Sequence, residues 1–138
     1  MFSHVTVGSH DFARAVAFYD PVLATIGLKR VHSYAEHGWA GWMMADAPSV
    51  EGGPTFWVGR PANGQPPTPG NGCMTAFLAP TRKAVDEFHA TALALGATDE
   101  GKPGIRMHYH PNYYGAYLRD LDGNKLCVVC HKSPEEGA

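Results

Sequence analysis

Two histidines near the C-terminal end of the chain carry the most direct chemical suggestion in the sequence. His108 and His110 flank Tyr109, and an imidazole can bind a metal or transfer a proton near neutral pH. The preceding GKPG and the following Pro111 favour a loop rather than a strand. Either histidine could therefore reach a cleft as an acid, a base or a hydrogen-bond partner, without forming a fixed pair.

Two cysteines lie a short distance further on, in a C-x-x-C motif. Cys127 and Cys130 have the spacing of a redox pair or of half a zinc site. Both belong to the apolar run KLCVVC, which predicts a strand. Residues three apart on a strand point to opposite faces, so the two thiols cannot easily bind one metal or each other. We expect buried thiols, with Cys127 on the face of Val129 and His131.

Aromatic side chains and one arginine precede this motif. Tyr113 and Tyr117 would share one face of a strand, and Tyr114 would take the other. Aromatic residues on a concave sheet suit a flat or apolar ligand, and packing against helices or a dimer partner would explain them equally well. Arg106 could pair with a ligand carboxylate or phosphate, or form an ordinary surface salt bridge.

A pattern of one strand, one helix and three strands must position these residues, and it occurs twice. Asp11 and Thr81 are candidate N-caps, and Gly27 and Gly96 are candidate helix ends. Pro21 predicts a kink in the first helix, or a second short helix capped by Asp20. The apolar stripes of the two helices are Phe12, Val16, Tyr19, Leu23 and Ile26, and Val85, Phe88, Ala92 and Leu95. The predicted strands lie near 2–8, 28–34, 38–45, 54–59, 73–79, 97–100, 112–119 and 125–131.

The two copies superimpose with a shift of about 70 residues. This shift places His4 on Met74, Asp11 on Thr81 and Trp57 on Cys127. The Pro/Gly-rich segment 61–71 reads as a connector between modules of about 1–60 and 72–132. Neither module could bury its sheet and helix well alone, so we expect one domain over 1–138 in which two βαβββ modules share a core.

Several of these segments resemble those of a known family. His4 in the first strand, DFARAVAFYDPVLATIGLKRV after it, and DLDGNKLCVV near the end resemble the glyoxalase/bleomycin resistance protein/extradiol dioxygenase superfamily, also called the vicinal oxygen chelate family. YHPNYYGAY is similar to a branch of small, glyoxalase-like bacterial proteins. The resemblance covers nearly the whole chain. It implies an α+β fold with two βαβββ modules pairing into a curved mixed sheet around a central cleft, and a homodimer.

The resemblance also implies where a metal would bind. Metal-using members hold a divalent cation with His and Glu side chains from their first, fourth, fifth and eighth strands. The corresponding positions here are His4, Trp57 (or Phe56), Met74 and Cys127. Hard ligands are lost at three of the four positions, so we expect no metal cofactor. A soft Cu(I) site on His, Met and Cys is a minor alternative.

Two functions follow from this comparison. The first is metal-free binding of a small aromatic or apolar molecule in a cleft formed by His4, Trp57, Met74, Arg106, Tyr113 and Cys127. The alternative is a metal-dependent glyoxalase-like lyase or isomerase, or a ring-cleaving dioxygenase, using His4 with recruited ligands such as His108 or His110. A metal-free enzyme with His4 or His108 as base lies between them.

Composition excludes several other classes. A net charge of -2 with no basic stripe argues against nucleic-acid binding. No apolar run approaches the length of a membrane span, and the first residues lack the pattern of a signal peptide. Three cysteines do not make a disulfide framework, so a reduced cytoplasmic location is expected.

Overall fold

Residues 1–137 of the computed structural model form two consecutive strand–helix–three-strand units. The first unit contains β1 (His4–Gly8), α1 (Phe12–Ala24), β2 (Leu28–Tyr34), β3 (Trp39–Met44) and β4 (Thr55–Gly59). The second contains β5 (Thr75–Leu78), α2 (Arg82–Ala94), β6 (Thr98–Ile105), β7 (Tyr114–Arg119) and β8 (Lys125–Cys130). The expected α+β class and βαβββ order are thus confirmed.

The strands form two four-stranded mixed sheets. Their orders are β1-β4-β3-β2 and β5-β8-β7-β6. β1 pairs with β4, and β5 with β8, in parallel, whereas the other neighbours are antiparallel. Within residues 1–137 no strand pairing joins the two sheets, so β1 and β5 are edge strands.

The internal repeat predicted from the sequence is confirmed in detail. Both helices have 13 residues, and α2 begins and ends 70 residues after α1. In the sheets, Thr6 lies opposite Trp57, and Ala76 lies opposite Cys127. Trp57 and Cys127 therefore occupy equivalent places, as the shift predicted.

Local signals explain where both helices begin and end. The side chains of Asp11 and Thr81 each accept a hydrogen bond, at 3.0 Å, from the backbone N–H three residues on. Gly27 and Gly96 follow the helices with φ of 87° and 103°, which strongly favours glycine.

Two local predictions need correction. α1 continues through Pro21, so the alternative of a second short helix is wrong; burial of Tyr19, Val22 and Leu23 outweighs one lost helical hydrogen bond while Pro21 itself is exposed. Asp20 is consequently not a cap. Its carboxylate accepts hydrogen bonds from the Trp42 indole at 2.9 Å and from the Arg30 guanidinium.

The segment GKPG is the second correction, because it belongs to β6 rather than to a loop. The pairing of β6 with β7 shifts register between Asp99 and Gly101 and again between Gly101 and Gly104. Because these irregularities leave ladder positions unused and β6 is an edge strand, Pro103 is tolerated there.

One hydrophobic core joins the two units. The rings of Phe56 and Phe77 make an edge contact at 4.9 Å, and Phe77 contacts Phe88 at 5.8 Å. The helices cover one face of each sheet and leave the opposite face open. Neither helix has the length and hydrophobicity needed to cross a lipid bilayer within residues 1–137.

Candidate functional site

Two tryptophans lie on the uncovered face of the first sheet, which we call the first open face. Trp39 is paired with Gly59, and Trp57 with Gly41, in the antiparallel register of β3 and β4. A Cβ at Gly59 would lie 2.4 Å from the Trp39 ring, and one at Gly41 would lie 2.9 Å from the Trp57 ring. Each indole therefore contacts the bare backbone of a glycine on the neighbouring strand, Trp39 mainly through its ring-fusion atoms and Trp57 through Cε3 and Cζ3.

The sequence contains the signal for this arrangement. Trp39-Ala40-Gly41 and Trp57-Val58-Gly59 share the pattern W-x-G. Residues two apart on a strand point to the same face, and antiparallel pairing places each tryptophan opposite the glycine of the other motif. Our sequence analysis placed Trp57 in the cleft but missed this relation, since it depends on the register of two strands.

Further rings extend this aromatic surface. His32 stacks on Trp57 with ring centroids 4.9 Å apart and an interplanar angle of 18°. The imidazole of His32 also stacks on Tyr34 at 6.2 Å, and Trp39 meets Trp57 edge-on at 6.4 Å. Four rings thus form one continuous surface on the first open face.

A cavity of about 760 Å³ lies over this surface. It is lined by His4, Thr6, Tyr34, His37, Trp39 and Trp57. His4 is exposed, and its Nδ1 atom lies 3.0 Å from the Ser3 hydroxyl. The cavity is large enough for a small-molecule ligand and combines ring faces with a few polar groups. It contains two predicted site residues, His4 and Trp57, and adds Thr6, Tyr34, His37 and Trp39.

Cys127 lies on the face of the second sheet that the helices leave uncovered, which we call the second open face. Its side chain is nevertheless fully buried, because tyrosine side chains lie over it. The Tyr113 hydroxyl contacts the Cys127 Sγ at 3.5 Å and the Tyr117 hydroxyl at 2.8 Å. Burial raises the pKa of the Cys127 thiol, despite hydrogen bonds from the two tyrosines that lower it. Cys127 is therefore a protonated, covered thiol at neutral pH. Cys130 faces the core instead, as predicted from its spacing.

Arg106 lies on the same side as Cys127 and is held by its own chain. Its guanidinium donates hydrogen bonds to the carbonyls of Gly104 at 3.0 Å and Lys102 at 2.7 Å. The guanidinium carbon lies 5.5 Å above the Tyr117 ring. These contacts favour a structural role for Arg106 over the predicted ligand contact.

The two histidines of the loop before β7 make separate contacts. His108 packs on Tyr109 at 4.2 Å. His110 Nε2 lies 2.8 Å from His131 Nδ1, and His110 Nδ1 accepts the Asn112 backbone N–H at 3.1 Å. Neither histidine lines the cavity that contains His4. The loop geometry is as predicted, and the recruitment of these residues beside His4 is not found within residues 1–137 of one chain.

The four positions that would hold a metal do not suit one. His4 and Trp57 lie on the first open face, whereas Cys127 lies on the second and Met74 is an exposed residue just before β5. The indole nitrogen of Trp57 is a donor only, and a protonated thiol is a poor ligand. Residues 1–137 bring together no group of three His, Cys, Asp or Glu side chains that could hold a metal ion.

Comparisons with known proteins agree with this fold. The family model of the Glyoxalase/Bleomycin resistance protein/Dioxygenase superfamily matches residues 1–128. A search of curated proteins found no match. The crystal structure of a glyoxalase/bleomycin resistance protein from Albidiferax ferrireducens T118 has 38% sequence identity and a TM-score of 0.80, covering 96% of this chain and 99% of that chain.

More distant structures share the fold. A lactoylglutathione lyase from Agrobacterium tumefaciens is 22% identical with a TM-score of 0.63, over 94% of this chain and 92% of that one. TioX from Micromonospora sp. ML1 is 19% identical with a TM-score of 0.62, over 96% and 99% of the two chains. At these identities the likeness establishes the architecture alone.

Proposed function

This chain belongs to the Glyoxalase/Bleomycin resistance protein/Dioxygenase superfamily, and we propose that it binds a small aromatic molecule on the first open face without a metal. The observation that carries this proposal is the pair of indoles, set at 73° to each other and packed on Gly41 and Gly59, that line a cavity of about 760 Å³. Tryptophans fixed in this way offer ring faces whose ordering cost has already been met in folding, and this preorganisation favours binding of a flat ligand.

The donor set supports the metal-free part of the proposal. A metal-dependent lyase or dioxygenase would need about three good ligands with an open position for substrate. His4 is the one hard donor among the four family positions, since Trp57, Met74 and Cys127 replace the others. Elemental analysis of protein purified without chelators tests this point. One Zn, Ni or Fe per chain would overturn it.

Binding to a neutral aromatic probe tests the main proposal. We expect 2-naphthamide to quench tryptophan fluorescence of the wild-type protein saturably, and Trp57→Leu to weaken its binding about tenfold, since one aromatic wall of the cavity is lost. Tyr109→Leu is the matched control, because Tyr109 is an exposed aromatic residue outside the cavity. Equal affinities in wild type and Trp57→Leu would contradict the assignment of this face.

We also propose that the chain forms a homodimer through its edge strands. Within residues 1–137, β1 and β5 have no strand partner on one side, and large apolar side chains are exposed beside them. These are Phe2, Val5, Met44, Met74 and Leu78. An apolar cavity of about 810 Å³ lies between Met44, Phe77 and Leu78, and apolar surface of this kind marks association sites.

Light scattering coupled to size-exclusion chromatography tests the dimer. We expect twice the chain mass of 14.9 kDa for the wild type and the monomer mass for Leu78→Glu, which places a charge in the apolar surface. Leu95→Glu, an exposed change at the end of α2, should leave the dimer intact. A monomeric wild type at micromolar concentration would refute the proposal.

The buried free thiols Cys127 and Cys130 support a reducing, cytoplasmic setting.

A further inference from the structure

A second cavity adjoins the one over the first open face, on the side of the connector between the two units. Its volume is about 500 Å³, and it shares Thr6 and Trp39 with the first cavity. The end of β4 and the connector form its far wall, which includes Arg60, Asn63 and Gln65. The two cavities therefore make one groove, with Trp39 as the floor where they meet.

The charge of this groove has one sign. Among residues 1–137, Arg60 is the single Lys, Arg, Asp or Glu side chain that lines either cavity. Glu36, in the turn between β2 and β3, is exposed and lines neither cavity. Within the described residues Arg60 forms no ion pair with the chain. A cationic group with five donors is thus left for a ligand.

The position of Arg60 relative to Trp39 sets the shape of that ligand. Arg60 follows Gly59, which lies directly beneath the Trp39 indole. Its guanidinium rests beside Gly38, next to Trp39 in the chain, where an added Cβ would be 3.5 Å from the guanidinium carbon. Trp39 and Arg60 line the same cavity. A ring lying on Trp39 can therefore direct a group attached to its edge toward the guanidinium.

Uncharged hydrogen-bond donors line the same cavity as Arg60. The Asn63 Oδ1 atom accepts the Gln65 backbone N–H at 3.0 Å, which leaves the two N–H groups of the Asn63 amide for another acceptor. The side chain of Gln65 lines the same wall. Amide donors beside a guanidinium are suited to the several lone pairs of a carboxylate.

We propose that the groove selects an aromatic carboxylate, with its ring on Trp39 and its carboxylate paired with Arg60. This inference rests on the proposed function and adds the charge class of the ligand. A preference for an anion runs against the weak overall electrostatic field of a chain with net charge -2. The local charge of Arg60 prevails over that field, because charges more than about 8 Å away are largely screened at physiological salt. A planar guanidinium binds a carboxylate through two hydrogen bonds, which a neutral amide cannot match.

Three probes of one ring system test the inference by calorimetry: 2-naphthoate, 2-naphthamide and 2-naphthylmethylammonium. We expect the wild-type protein to bind the carboxylate about tenfold more tightly than the amide, as a charged hydrogen bond would allow, and the ammonium most weakly. Arg60→Gln should make the affinities for the carboxylate and the amide nearly equal, mainly by weakening the binding of the carboxylate. Lys83→Gln is the matched control, since it removes the same charge from an exposed residue of α2.

The outcomes separate this inference from the proposal beneath it. If the amide binds as tightly as the carboxylate, or the ammonium binds best, the charge preference is wrong while aromatic binding stands. If the preference for carboxylate persists in Arg60→Gln, Arg60 is not its source. If no probe binds at all, the proposed function fails and the inference fails with it. A purely structural role for Arg60 would not change the ratio of the two affinities.

Discussion

At the scale of single residues, the first open face depends on glycines as much as on tryptophans. Gly41 and Gly59 are paired with Trp57 and Trp39, and a methyl group on either would collide with the indole above it. Neither position needs a positive φ, so the requirement comes from space alone. The small residue is therefore part of the candidate site even though it presents no side chain to a ligand.

We predict that Gly59→Ala reduces the free energy of unfolding by about 1–3 kcal/mol, the usual cost of overpacking. It should also weaken aromatic binding, because the Trp39 indole must lift off the sheet. Urea denaturation and the probe titration measure the two effects. In a Trp39→Ala background the same substitution should cost little, since the clash is gone. An equal loss in both backgrounds would show that the collision is not the cause.

At the scale of elements, the turn between β7 and β8 connects the second unit to the first. The Asp120 carboxylate accepts the backbone N–H groups of Asp122 and Asn124 at 2.9 and 2.8 Å, and it accepts the Tyr19 hydroxyl from α1. The Asn124 amide donates to the Gly8 carbonyl at 2.9 Å. His10 Nδ1 lies 2.8 Å from the Asp122 carboxylate. The segment DLDGN, a mark of the family resemblance, thus acts here as a connection between units.

Replacing Asn124 tests this connection. Asn124→Ala removes two hydrogen bonds of a buried amide, to Gly8 and Asp120, and should lower the free energy of unfolding by about 2–3 kcal/mol. The matched control is Asn63→Ala in the connector, an exposed position where the change should stay within about 0.5 kcal/mol. Both are measured by urea denaturation. Comparable effects at the two positions would argue against a locking role for the turn.

At the scale of the whole molecule, proton-bearing groups are buried or half-buried in both units. Burial raises the pKa of Tyr19 in the first unit, and of Tyr113, Tyr117 and Cys127 in the second. Burial together with the Asp86 hydrogen bond raises the pKa of Tyr114 to about 12. In an unfolded chain these groups would ionise near their ordinary values of about 8.5 for Cys and about 10 for Tyr.

We therefore predict a loss of stability at alkaline pH. A raised folded-state pKa means that the unfolded chain releases its protons first, so the stabilisation is complete below about pH 8.5 and declines as pH rises through the folded values. Urea denaturation between pH 7 and 10.5 measures the decline. In a parallel absorbance titration of the native protein near pH 10, fewer than the six tyrosines should ionise. A flat stability profile, or ionisation of all six together, would refute the prediction.

Local regularity explains how much could be predicted from the sequence. The caps Asp11 and Thr81, the glycines that end the helices, and the shift of 70 residues all depend on neighbours in the chain or on a repeated pattern. Each was confirmed, as was the equivalence of Trp57 with Cys127. The family followed from motifs of the same local kind. The errors at Pro21 and at GKPG arose where a strong local breaker was outweighed by burial or by an irregular edge strand.

The content of the candidate site was decided by tertiary structure. His4 and Trp57 could be placed on one face from their strands, but their separation from Cys127 depends on how two sheets are set against one core. The pairing of Trp39 with Gly59 depends on the register of β3 and β4, and the approach of Arg60 to Gly38 depends on where the connector leaves β4. Strand periodicity is a property of the chain and can be read from it. Distances between strands arise from packing, which joins residues that the sequence keeps apart.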